Sequence, residues 1–295
     1  MKTILKDCLT DEDILYHYCS MDAFIKIIES KKLRLGNVIQ MNDPTELSLR
    51  SINWIELIYN HYKKAPFKFK FLYDNKEFNM AQYLNLMNYH QDTIRTDSFF
   101  VFCMSTLSDD LNQWRVYGDN GNGVCLGFDV ANIFDLIEHD SNFTYNELEY
   151  EDLQSIADFA TDSMLCKIED YYRAGDNNGL HKFIENFYSD LEFFVLRYKH
   201  PAYKAESEAR LIYKKHNIQK DTAIFQKTDD IIICTDFSDI KTYKEISLSD
   251  MKIKNITFGP TNRVPIDNIL LFLHANNIEI DSNQIYYSNI PYRTK

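Results

Sequence analysis

Glycine and proline are scarce in this 295-residue chain, 8 and 6 respectively, which excludes a collagen-like, low-complexity or linker-rich protein. No apolar run approaches the ~18 residues a membrane helix requires. The opening stretch MKTILKDCLTDED places acids where a secretory signal would carry its apolar segment. The six cysteines (Cys8, Cys19, Cys103, Cys125, Cys166, Cys234) lie far apart with no C-x-x-C pair, which argues against a zinc knuckle and for reduced thiols in the cytoplasm. H-E-x-x-H, EF-hand, P-loop and dinucleotide-fold fingerprints are all missing, and no metal is expected. A formal charge of -12 disfavours broad, sequence-independent binding to a phosphate backbone. No internal repeat is visible. These absences leave a cytoplasmic protein without a membrane partner.

What remains is rich in core material. The apolar share is 45%, with 20 Phe and 20 Tyr, enough for one large domain over residues 1–295. The chain is organised around Phe99 to Phe128. Phe99, Phe100, Val101 and Phe102 read as a buried strand. Ser105, Thr106, Ser108, Asp109 and Asp110 then offer N-caps for a short helix bearing Leu111, Trp114 and Val116. Gly118, Gly121 and Gly123 form a tight loop, and Val124 to Phe128 returns as a strand. The stretch is either a simple strand–helix–strand unit or one wall of a cleft.

Upstream, Ile14 to Cys19 reads as a strand with Leu15, His17 and Cys19 on one face and Tyr16 and Tyr18 on the other. Ser20 caps a helix with Phe24, Ile25, Ile27 and Ile28 as its buried stripe, and Gly36 turns the chain. Asp43, Pro44 and Glu46 have the arrangement of a capping box, which predicts a helix carrying Ile52, Ile55, Ile58 and Tyr62. A further helix is expected over about residues 78–95. From about 130 to 197 the chain is acidic and helix-like and reads as a helical insertion between strands.

The C-terminal part reads as mostly β. Residues 206–213 alternate, with Glu206, Glu208 and Arg210 on one strand face, either an exposed charge ladder or the lining of a polar cleft. Ile231 to Cys234 and Ile253 to Phe258 are short strands, Pro265 starts a helix, and residues 278–287 supply one or two closing strands. The cations Lys63, Lys64, Lys68 and Lys70, and Arg197, Lys199 and Lys204, form clusters that are either solvated faces or a local basic mouth.

The residues Tyr16-His17-Tyr18, Asn42-Asp43-Pro44-Thr45-Glu46, Ser105 to Asp109, Trp114, Tyr117-Gly118-Asp119, Gly123 to Phe128 and Glu206-Ser207-Glu208-Ala209-Arg210 resemble the pattern of a bacterial family of unknown function. Their order is also distantly similar to the ADP-ribosyltransferase superfamily. That resemblance implies an α+β (mixed α/β) fold: a curved, mostly antiparallel split sheet with peripheral helices and a helical insertion. It implies an NAD-using enzyme, a transferase or NAD glycohydrolase, in the setting of a toxin or anti-phage effector. NAD would be a substrate, and the partner an unidentified macromolecular acceptor. In this reading Glu208 stabilises the ribosyl cation, Glu206 orients the acceptor and His17 holds a ribose or the nicotinamide amide. Tyr16, Tyr18, Ser105, Trp114, Tyr117 and Arg210 contact the nucleotide, with Trp114 or Tyr117 stacking on nicotinamide. Two departures stand out: Ser105-Thr106-Leu107-Ser108 is not Ser-Thr-Ser, and no second-motif tyrosine is identifiable. The opposing classes are a non-catalytic nucleotide- or protein-binding module and a metal-dependent nuclease using Asp109 and Asp110.

Overall fold

A computed structural model describes residues 13–41, 53–76, 78–91, 98–215, 230–236 and 239–293. The chain opens with strand β1 (Ile14–Cys19) and helix α1 (Met21–Ser30), where the Ser20 hydroxyl accepts the Ala23 amide at 3.2 Å. Lys31, left-handed at φ 55°, ends the helix and hands the chain to β2 (Lys32–Asn37). Helices α2 (Trp54–Lys64), α3 (Lys70–Asp74) and α4 (Met80–Gln91) follow, then β3 (Ser98–Ser105), α5 (Leu111–Val116), β4 (Val124–Asp129) and α6 (Val130–His139). The middle of the chain holds β5 (Phe143–Glu147), β6 (Glu149–Tyr150), α7 (Leu153–Arg173), α8 (Asn177–Val195) and β7 (Tyr198–Lys199). It closes with β8 (Glu208–Lys215), β9 (Ile231–Asp236), β10 (Asp239–Ser247), β11 (Ile253–Phe258), α9 (Ile266–Ala275) and β12 (Ile285–Tyr287).

The fold is mixed α+β around an open, mostly antiparallel sheet in the order β12-β11-β4-β1-β3-β2-β10-β9, with β8 and β5 added along β3. The pairing of β3 positions the site. One of its edges runs along β8 from Ser98↔Lys215 to Ser105↔Glu208. Its other edge is shared: β2 pairs at Gly36↔Val101 and Asn37↔Phe100, and β1 only at Tyr16↔Ser105. β1 and β2 therefore diverge along β3 and leave a fork between them.

Two large apolar clusters fill the molecule. The sheet cluster gathers Leu15, Phe24, Ile28, Leu126, Phe128, Leu211 and Phe258 with the inner faces of α1, α6 and α9. The helical cluster gathers Trp54, Ile58, Met87, Leu165, Ile168, Ile184 and Tyr198 from α2, α4, α7, α8 and β7. Each fully buried side chain of this size contributes about 1.5–3 kcal/mol.

Several expectations need amendment. Gly36 does not turn the chain; it pairs inside β2 with both Val101 and Tyr243. The stretch read as a helical insertion contains β5, which joins the main sheet on β8, because Phe143 and Tyr145 alternate inward. β10 has no counterpart in the sequence reading. Of the one or two closing strands expected over residues 278–287, one forms: β12, parallel to β11. The later helix begins at Met80, two residues after the expected start. The capping box at Asp43, Pro44 and Glu46 lies outside the described residues.

Candidate functional site

The fork opens into a cleft of about 250 Å³ whose walls include Tyr16, His17, Tyr117, Lys199, Glu206 and Glu208. β1 supplies His17. Its ring stacks on Phe102 at 4.4 Å, and its Nδ1 lies 2.8 Å from the carbonyl oxygen of Cys103 on β3. A carbonyl only accepts, so Nδ1 carries the proton and Nε2 is left as an acceptor. Burial lowers the His17 pKa, partly opposed by the Cys103 hydrogen bond, and favours this neutral imidazole.

The second wall is the turn after β3. Ser105 accepts the Leu107 amide at 3.1 Å and donates to the carbonyl of Glu206 at 2.8 Å. The Tyr18 hydroxyl donates to the Leu107 carbonyl at 2.8 Å and accepts the Asp110 amide at 3.1 Å. Asp110 then caps α5, accepting the amides of Asn112 and Gln113 at 2.9 and 3.0 Å. Trp114 donates its indole N–H to Asp109 at 2.6 Å and packs edge-on against Tyr18 at 4.8 Å. So fixed, α5 delivers Gln113 to the Glu206 carbonyl at 2.8 Å and the Tyr117 hydroxyl to the Glu206 carboxylate at 2.9 Å. Burial, then the charge of Glu206, pushes the Tyr117 phenol up, so it stays a donor. Gly123 closes the turn where only glycine fits: a Cβ there would lie 2.2 Å from the Cys19 carbonyl oxygen.

The third wall is an ion cluster. Lys199 on β7 donates to Glu206 at 2.7 Å and to Glu208 at 2.8 Å, and its ammonium lies 4.7 Å from the centre of the Tyr203 ring. Arg210 Nε donates to the other oxygen of Glu208 at 2.7 Å, and Nη1 donates to the Leu196 carbonyl at 3.3 Å. Glu208 is 6% exposed and Arg210 0%. Burial opposes the charge on Glu208, yet Arg210 and then Lys199 outweigh it and hold the carboxyl down at about 2. Burial likewise opposes the Lys199 ammonium, while Glu208 and Glu206 push its pKa well above the usual lysine value.

The structure corrects one detail of the strand reading. Glu206 is not on the strand: it ends a 3-10 helix over Pro201–Glu206, and Ser207, left-handed at φ 44°, separates it from β8. The two carboxylates meet because this kink and Lys199 bring them together. Of the candidate residues, Tyr16, His17, Tyr18, Tyr117, Glu206 and Glu208 line the cleft. Ser105, Trp114 and Arg210 stand behind it: Trp114 is completely buried with its ring enclosed, leaving Tyr117 as the exposed stacking face, and Arg210 braces Glu208. Asp109 and Asp110 serve Trp114 and the α5 cap. Cys19, close to His17 in sequence, is a core thiol that burial pushes up to about 12.

In the sequence, Lys199 stands only within a cation cluster that is either a solvated face or a basic mouth, and Gln113 and Tyr203 carry no signal. Lys199 groups by position with neighbouring surface cations, and no single helix or strand period links it to both carboxylates, 7 and 9 residues on. Only the 3-10 turn and Ser207 make that link. Lys63 of the other basic cluster lies over the Tyr59 ring and Lys68 pairs with Asp162 at 2.6 Å. Among the described residues, no helix is long and apolar enough to cross a membrane, and no group of three or more His, Cys, Asp or Glu side chains could hold a metal ion.

Residues 113–211 match a family described as a protein of unknown function (DUF2971). The matched span begins at Gln113 and reaches into β8, so it contains the entire ion cluster, whereas His17 precedes it. Neither a curated protein nor a solved structure matches the chain.

Proposed function

We propose that the cleft is the site of an NAD-using, ADP-ribosyltransferase-like enzyme, with NAD as substrate and a macromolecule or water as acceptor. The observation that carries this reading is the convergence, at the fork of one sheet, of a neutral His17, an exposed Tyr117 ring and two carboxylates, Glu206 and Glu208. A cleft of about 250 Å³ suits one nucleoside-sized end of a dinucleotide, with the remainder leaving through the mouth. Tyr117 stacks on the nicotinamide and the Nε2 acceptor of His17 takes a ribose hydroxyl or the amide N–H.

The chemistry is glycosidic. The bond from ribose C1′ to the nicotinamide nitrogen breaks, its electron pair leaves with nicotinamide, and the positive charge left on the ribose is met by Glu208. An acceptor oxygen or nitrogen, oriented by Glu206, then bonds to C1′ and releases a proton. Arg210 and Lys199 keep Glu208 charged in a nearly dry position. A cytoplasmic toxin or anti-phage effector is the setting this reading favours.

The test is nicotinamide release by the purified protein, with and without cell extract. Glu208→Gln keeps shape and removes charge, and release is expected to fall by ~10²–10³. Glu206→Gln is expected to spare NAD cleavage and depress transfer. Equal release by wild type and Glu208→Gln would defeat the assignment.

A second reading, a non-catalytic nucleotide- or protein-binding module, draws on the ion cluster itself: both oxygens of Glu208 are already engaged by cations. No release by wild type with any extract, together with saturable NAD binding in calorimetry, would favour it.

A further inference from the structure

The β6–β7 ribbon is the root of the α7–α8 hairpin: β6 precedes α7 and β7 follows α8. Consecutive residues of β7 point to opposite sides. Tyr198 is buried in the helical cluster, whereas Lys199 is buried against Glu206 and Glu208. β6 contributes too, for the Tyr150 hydroxyl accepts the backbone amide of Glu208 at 2.7 Å. The ribbon is tied by the Glu149 amide donating to the Arg197 carbonyl at 2.8 Å and by the Arg197–Glu149 ion pair at 3.1 Å. A lysine that is 7% exposed and touches two carboxylates is costly to desolvate, so its placement needs a reason beyond solubility.

We propose that Lys199 is a positioning residue: carried by the β6–β7 ribbon, its ammonium clamps Glu206 and Glu208 side by side on the cleft wall and ties their geometry to the helical hairpin. This deepens the functional reading above and rests on it for the catalytic consequence, but the clamp itself is measurable without activity. Two carboxylates so close repel unless a cation lies between them. Among the described residues, Arg210 pairs with Glu208 from behind, Tyr117 faces Glu206, Tyr150 and Tyr203 flank the cluster, and His17 stands across the cleft, neutral. Lys199 is thus the cation shared by both acids.

The experiment is a carbon-detected NMR titration of the glutamate carboxyls in wild type, Lys199→Met and Lys199→Arg, with the pH profile of nicotinamide release as a second arm. Lys199→Met is expected to raise the Glu208 titration by about one to two units and to add an acid limb to the pH profile. Lys199→Arg is expected to restore both. If Lys199→Met does not fold, Lys199→Met/Glu206→Gln removes one charge of each sign, and there too Glu208 is expected to titrate higher than in wild type. A Glu208 titration unmoved in these variants would overturn the clamp. Absence of nicotinamide release in wild type would instead count against the transferase reading, while the carboxyl titration would still decide the role of Lys199.

Discussion

The sheet and the helical layer each bury a large apolar cluster but treat charge differently. On the rim of the helical layer, Lys68 and Asp162 meet at 2.6 Å with side chains 49% and 38% exposed. At the Glu208 end of β8, Lys199 and Glu208 meet at 2.8 Å with both side chains 5% exposed, and Arg210 behind them is closed off completely. Rim pairs gain little because water screens them. The buried cluster carries a large desolvation cost, offset only while every partner stays in place. The difference teaches where to look for chemistry: the distances are alike, and the expulsion of water marks the site.

The comparison can be broken hardest at two buried side chains, Trp114, which packs with Tyr18 and Cys125 behind the cleft, and Ile184 in the helical cluster. Trp114→Ala removes the completely buried indole behind the cleft and is expected to cost about 3–5 kcal/mol, whereas Ile184→Ala in the helical cluster should cost about 2–5 kcal/mol. The regional signature separates them. Hydrogen exchange should show Ile184→Ala loosening α7 and α8 while β3 and β8 stay protected, and Trp114→Ala exposing α5 and the adjoining turns. Equal loosening everywhere in both variants would mean that the cleft wall and the helical cluster unfold as one.

The charge contrast gives the next effect. Glu208→Gln should cost about 3 kcal/mol at neutral pH, because it leaves Lys199 and Arg210 in a dry site without their shared anion. The pH dependence has a definite sign. The folded carboxyl is held at about 2, below its ordinary value of 4.5, so between these values the unfolded chain binds more protons and stability rises with pH. Glu208 therefore contributes fully above about pH 4.5 and loses its contribution as the pH falls towards 2. Urea unfolding midpoints of wild type and Glu208→Gln should converge across that window. Lys68→Met on the helical rim should change the unfolding free energy by no more than about 0.5 kcal/mol, and less in high salt.

The smallest expected effect sharpens the comparison at the helix caps. Asp110 caps α5 beside the cleft and Asn53 caps α2 in the helical layer, where its side chain accepts the Glu56 amide at 3.2 Å. Alanine at either should cost about 1 kcal/mol in thermal or urea unfolding. Only Asp110→Ala should also weaken NAD binding in calorimetry, since α5 carries Tyr117 and Gln113. Equal binding by both variants would detach α5 from the site.

Much of this architecture is local and legible in the sequence. The period-2 run of β1, the Ser20 cap, the strand at Phe99 and the Asp110 cap depend on neighbouring residues, and the fold contains each of them. β5 is hard to read because a five-residue strand between helices has too few alternations to stand out. Gly36 looks like a turn because glycine tolerates one, yet pairing on both edges of β2 outweighs that freedom.

By itself the sequence determined which residues could carry charge, stack or cap, and the resemblance to a family pattern then named His17, Tyr117, Glu206 and Glu208 as candidates. Tertiary structure alone decided their environment. The fork in β3 gathered residues far apart in the chain, and the left-handed Ser207 took Glu206 off the strand and aimed it back at Glu208's cation. The β6–β7 ribbon turned Lys199 from one surface-like cation among several into a buried clamp. Charge and shape belong to the residue, but desolvation belongs to the packing around it. Lys199 and Lys68 are the same side chain in the sequence, and only burial made one of them part of a site.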